Sequence, residues 1–189
     1  MLLYILCRRD IVWNSNSWFT AWDDTVCIKP DHGNIVYHGT ANGIYPAHYI
    51  DFGKSNVDER YWDKATQNNM KIDKLEEFCQ LENLCEIIWY LENDKFIYFT
   101  CKQQGHLYQI LFSKRTKKYH IITNLVNDID MYAKFRPKAI RGNKLYGTIP
   151  AYEVAQLRNI VFAADTPEPL LHVEEGDNPV IIELTLKDF

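Results

Sequence analysis

Between residues 86 and 123 four strand-length apolar stretches follow one another with only short polar connectors, and this run constrains the fold more than any other part of the chain. The stretches cover residues 86–91, 95–101, 106–112 and 118–123. Their connectors are Glu92-Asn93-Asp94, Lys102-Gln103-Gln104-Gly105 and Ser113-Lys114-Arg115-Thr116-Lys117, which hold the Asn, Asp and Gly that hairpin turns use at positive φ. Connectors this short cannot contain the crossover that joins parallel strands, so an antiparallel four-stranded meander is expected. Two of its strands, Ile87-Ile88-Trp89-Tyr90 and Phe96-Ile97-Tyr98-Phe99, are apolar at consecutive positions. A sheet with one face in water would alternate apolar and polar residues, so neighbouring sheets are expected on both faces. Radially packed four-stranded blades, as in a β-propeller, meet both conditions.

A second unit of the same grammar precedes this one. It reads as strands over 18–22, 25–29, 35–38 and 48–52, with a turn at Asp23-Asp24 and loops over 30–34 and 39–44. A third follows less regularly, with a hairpin over 137–141 and 144–149 turning at Gly142-Asn143, and a late strand over 180–186. From residue 55 to residue 82 the apolar spacing becomes helical, with Val57, Tyr61, Trp62 and Ala65 on one face, then Ile72, Leu75, Phe78 and Cys79. A further helix is expected over 151–158 after Pro150, and Asp165-Thr166-Pro167-Glu168-Pro169 reads as an extended surface loop. The expected fold is all-β: one partial β-propeller domain over 1–189, of about three four-stranded antiparallel blades with short helical insertions. The blade-like units cover about 11–53, 85–123 and 137–187, and the main helical insertion 55–82.

Charge and composition narrow the function classes. The 189 residues carry 21 Lys+Arg against 25 Asp+Glu, a formal net charge of −4, with no basic block of the kind that tracks a phosphate backbone, so nucleic acid is not an expected partner. No run approaches the ~18–20 apolar residues that cross a bilayer as a helix. The opening Met1-Leu2-Leu3-Tyr4-Ile5-Leu6-Cys7 lacks the basic start and the small residue before Cys of a lipoprotein signal, and a buried strand is the expected reading. Cys7, Cys27, Cys79, Cys85 and Cys101 show no C-x-x-C spacing and are expected mostly as small core residues. His32, His38, His48, His106, His120 and His172 show no metal-ligand spacing and are expected as surface or half-buried strand residues.

Four elements together resemble a known family. They are Ile35-Val36-Tyr37 followed by Tyr49-Ile50-Asp51-Phe52-Gly53-Lys54, the helical insertion after it, Asn127-Asp128-Ile129-Asp130, and Asp177-Asn178-Pro179-Val180 near the end. Their order and spacing resemble the C-terminal half of the six-bladed β-propeller proteins of Bacteroides-type bacteria, many of them predicted lipoproteins. The resemblance implies a periplasmic or outer-membrane location. This chain shows no signal peptide of its own, so a cytoplasmic product is expected if its start is genuine. Family members are about twice as long, so missing blades are expected from a second chain or from self-association, with one apolar blade face bare at each end of the open arc.

No nucleophile elbow, P-loop, dinucleotide or HExxH motif is present, and no catalytic residue and no metal ligand is assigned. The weak binding candidates are Asn127, Asp128, Asp130 and Tyr132. Their oxygens would suit Ca²⁺, but they lack EF-hand spacing and equally fit a turn, so no cofactor is expected. Trp13, Trp18, Trp22, Tyr37, Tyr132 and Tyr146 form an aromatic pool that would serve as core filler or stack on a sugar ring or protein surface. A binding or scaffolding module of the cell envelope recognising a glycan, peptide or protein is the expected function. The alternative is a metal-assisted lactonase-like propeller hydrolase, with Asp128 or Asp130 as one ligand.

Overall fold

The structure is a computed structural model that describes residues 18–30, 33–57, 77, 79–122, 137–157, 168–187 and 189. Its described elements are eleven strands in three antiparallel sheets of four, four and three strands, with a few short helical segments. The chain divides into two compact units, Met1–Tyr90 with Phe99–Tyr108, and Leu91–Tyr98 with Gln109–Phe189. Among the described residues no helix is long and apolar enough to cross a membrane.

The first sheet has the order β1-β2-β3-β4, from β1 (Trp18–Trp22), β2 (Thr25–Lys29), β3 (Ile35–Thr40) and β4 (Gly43–Tyr49). The fourth strand therefore lies earlier than residues 48–52, where the sequence places it. Asn42 donates its backbone N–H to Thr40 Oγ1 at 3.2 Å and Gly43 takes φ +125°, which closes the β3–β4 hairpin within residues that read as loop. Pro46 breaks the strand pattern in the sequence. It is accommodated because β4 is an edge strand, and because the register shifts beside it, between Val36 and Tyr37 on β3.

The next segment is a turn and not a strand. Asp51 Oδ1 accepts from Gly53 N at 2.8 Å and from Asn56 Nδ2 at 2.7 Å, and Phe52 N donates to Asn56 Oδ1 at 2.8 Å. Gly53 takes φ +60° at the start of a 3-10 turn, Gly53–Ser55. Phe52 then meets Phe99 edge-on, with ring centroids 6.4 Å apart. The Y-x-D-F-G-K element is thus a structural connector that follows the first sheet.

The second sheet is the expected meander, β5-β6-β7-β8, from β5 (Glu86–Glu92), β6 (Phe96–Gln103), β7 (His106–Ser113) and β8 (Tyr119–Ile122). Gln104 and Gly105 both have positive φ, 48° and 79°, as a two-residue type I′ hairpin requires. Phe96, Ile97, Tyr98 and Phe99 are all buried, so that strand is covered on both faces, as its unbroken apolar run demands. Towards the other edge the cover ends, and Tyr119 and Ile121 are exposed.

The third sheet has the order β11-β10-β9, from β9 (Pro137–Arg141), β10 (Lys144–Ile149) and β11 (Val180–Thr185), and it has three strands where a four-stranded blade is expected. Ile149 packs with Val154 of α1 (Ala151–Leu157) against Leu170, Val173, Val180 and Ile182. Glu168-Pro169 opens a short helix, α2 (Glu168–Leu171), instead of continuing an extended loop. Proline suits the first turn of a helix, where its missing N–H costs nothing. In the 55–82 insertion residues 77 and 79–81 are helical, and the first expected helix lies outside the described residues.

Candidate recognition site

The two faces of the first sheet differ in chemistry because of the strand pairing. Cys27 pairs with His38, His38 with Tyr45, and Val36 with His48. Pairing partners point to the same face, and so do alternate residues along a strand. Tyr45 and His48, three residues apart, would point to opposite faces of a regular strand. The register shift between Val36 and Tyr37 puts one extra residue into β4 and returns both side chains to the His38 face.

The result is a cluster of rings around His38. Trp22 lies 5.2 Å away edge-on, His48 5.1 Å away edge-on, and Tyr45 6.1 Å away at 73°. Trp22, His38 and His48 are half-buried and Tyr45 is exposed, so the cluster reaches solvent at its Tyr45 edge. On the same face Cys27 and Val36 are fully buried, and Lys29, also buried, folds its ammonium onto the Pro30 carbonyl at 2.6 Å. Edge-to-face rings packed beside buried neighbours have restricted rotamers, which would lower the ordering cost of a contact made at their exposed edge. The Cys27–His38 pair places a thiol beside an imidazole, two of the four ligands that a structural zinc site uses.

The groups with displaced pKa values have local structural partners. Asp51 is held below its ordinary value by Asn56 and by the Gly53 N–H. The Cys85 thiol is pushed up by its hydrogen bond with Cys101 and by burial. Lys144 is raised and Glu183 lowered by their mutual ion pair on the third sheet, and Tyr152 is raised by its bond to Glu153. Cys27, Cys79, Cys85 and Cys101 are buried thiols that form no disulfide with one another, as expected of core residues. In an NMR titration the Asp51 carboxyl is expected to ionise below the ordinary aspartate range, and Asn56→Ala is expected to move it upward. Because its folded value is depressed, its contribution to stability is present above the unfolded pKa and is lost as pH falls through the folded one. An unmoved titration in the variant would show that the Asn56 bond does not set it.

Asn127, Asp128, Asp130 and Tyr132 lie outside the described residues, as do Trp13 and the side chain of Trp18. From the aromatic pool the structure brings Trp22 into the ring cluster and leaves Tyr37 half-buried on the opposite face of the sheet. His38 and His48 are the half-buried strand residues that their sequence context implies. Their convergence, and that of Tyr45, is invisible in the sequence because no spacing rule anticipates the bulge.

The domain of unknown function DUF4934 matches residues 8–185. The chain belongs to the DUF4934 family. No curated protein matches this DUF4934 chain. Among solved structures it is similar to a crystal structure of a "putative exported protein" from Bacteroides fragilis, with a TM-score of 0.64 and 14% sequence identity. The match covers 89% of this chain and 49% of the other, so the DUF4934 chain spans about half the length of the structure it matches. At that identity the likeness is one of fold.

Proposed function

We propose that this chain is a recognition module built of β-propeller blades, one part of a six-bladed arrangement, which acts at the cell envelope and binds a glycan or peptide through Trp22, His38, Tyr45 and His48. The observation that carries the reading is the ring cluster itself, brought together by a β-bulge and exposed at Tyr45. Rings of this kind offer flat apolar faces and polar edges, which is what sugar rings and peptide side chains require. The likeness to the "putative exported protein" from Bacteroides fragilis supports the envelope location, and three antiparallel sheets of four, four and three strands support the blade architecture.

A glycan array and a peptide library probed with the whole chain test this. Binding is expected to survive chelation and to weaken by about 30-fold or more in Trp22→Ala with Tyr45→Ala, the loss typical of a central aromatic contact. Chelator-sensitive turnover of a lactone or ester would replace the reading by the hydrolase. Binding that is lost to EDTA and to Asp128→Ala with Asp130→Ala, but not to the ring variants, would move the site to residues 127–132.

A further inference from the structure

The opposite face of the first sheet is apolar and bare. Phe19 pairs with Ile28, Ile28 with Tyr37 and Tyr37 with Pro46, while Val26 pairs with Gly39 and Gly39 with Ile44, and Ile35 with Tyr49. All of these residues therefore share one face, and none is charged. Phe19 is 64% exposed, Tyr49 62%, Ile44 47%, and Val26 and Ile35 41% each. An antiparallel sheet with one face in water normally turns polar residues outward. Here the outward face is as apolar as a core.

We propose that a second copy of this chain covers this face, with the two first sheets packed on each other about a two-fold axis. Four observations select that occupant. The patch contributes on the order of 600 Å² per copy, at the top of what a monomer leaves bare. Two such faces together bury about 1,200 Å², where specific interfaces begin. A neutral apolar face is complementary to itself, as a two-fold contact requires, and two twisted four-stranded sheets stack well when crossed by about 30°. The outward face of the third sheet is a poorer match, because it carries the Lys144–Glu183 ion pair on diagonally neighbouring positions of β10 and β11. This contact uses the face opposite the ring cluster and is independent of the ligand reading, and it takes the place of a neighbouring blade on that face, so it is an alternative to the six-bladed ring.

Light scattering on the whole chain at micromolar concentration is the test. The expected result is a closed dimer with twice the mass of one chain, and a monomer with unchanged circular dichroism for Ile44→Asp. Tyr49→Lys, on an edge strand and already largely in solvent, is a second variant with the same expected loss should Ile44→Asp not fold. A monodisperse wild-type monomer overturns the proposal, since the face is then bare or covered by the chain's own residues. Aggregates of indefinite size overturn the closed two-fold contact. A dimer that persists in both folded variants overturns the assignment to this face.

Discussion

Replacing Lys114 by Met is expected to lower the unfolding free energy by about 3–5 kcal/mol, the cost of breaking a buried ion pair by removing one partner. Glu92 ends β5 with its side chain fully buried, and Lys114, in the β7–β8 turn, reaches it at 2.5 Å with only 19% of its own side chain exposed. The backbone holds the same junction, since Lys114 N donates to the Lys95 carbonyl at 2.8 Å and Lys117 N to the Ser113 carbonyl at 2.9 Å. The Lys114 stem therefore has little freedom to lose when the pair forms. Urea unfolding at neutral pH measures the effect. Glu92→Leu combined with Lys114→Met is expected to recover most of the loss, because an apolar pair removes the desolvated charge along with its partner. A single-variant loss below about 1 kcal/mol would mean that the pair behaves as a screened surface ion pair.

Asn93→Ala is expected to cost about 3 kcal/mol. Asn93 is buried at 2% exposure, and its side chain serves three backbone groups: its Oδ1 accepts from Lys95 N and Phe96 N, both at 2.9 Å, and its Nδ2 donates to the Gly142 carbonyl at 2.8 Å. Its own N–H donates to the Phe96 carbonyl at 3.0 Å and closes the β5–β6 hairpin. Alanine leaves two N–H groups and one carbonyl without a partner, each at a cost of about 1–3 kcal/mol where water cannot reach and less where it can. Asn93→Asp separates the roles, since it keeps the acceptor and loses the donor to Gly142. It is expected to retain the hairpin while loosening the tie to the β9–β10 turn, seen as faster amide exchange around Gly142. Equal exchange in Asn93→Asp and wild type would show that the long-range bond contributes nothing.

These two positions show how much of the fold is legible in local sequence. Glu92-Asn93-Asp94 is visible as a turn, because Asn and Asp mimic backbone groups in tight connections. That Asn93 also holds Gly142, 49 residues away, is not visible, because an amide that caps its own turn looks the same whether or not its free end reaches another strand. The meander of the second sheet was legible because its signals are local. Apolar runs of strand length, short connectors and Gln104-Gly105 at positive φ agree with one another. The β4 strand was not, since Pro46 and the bulge break the alternation that marks a strand, and both are tolerated only because β4 lies at an edge.

The faces of the first sheet separate most sharply what each level decides. By itself the sequence determined that the chain is all-β and antiparallel, that strands over 96–99 need cover on both sides, and that no long basic block is available to nucleic acid. Each of these follows from properties of neighbouring residues. Only the tertiary structure decided that His38, Tyr45, His48 and Trp22 meet on one face and that Phe19, Val26, Ile44 and Tyr49 stand together in solvent on the other. The physical reason is that a strand's side chains take opposite faces with period two, so one extra residue in β4 reassigns every side chain beyond it, and pairing register is a property of two strands at once.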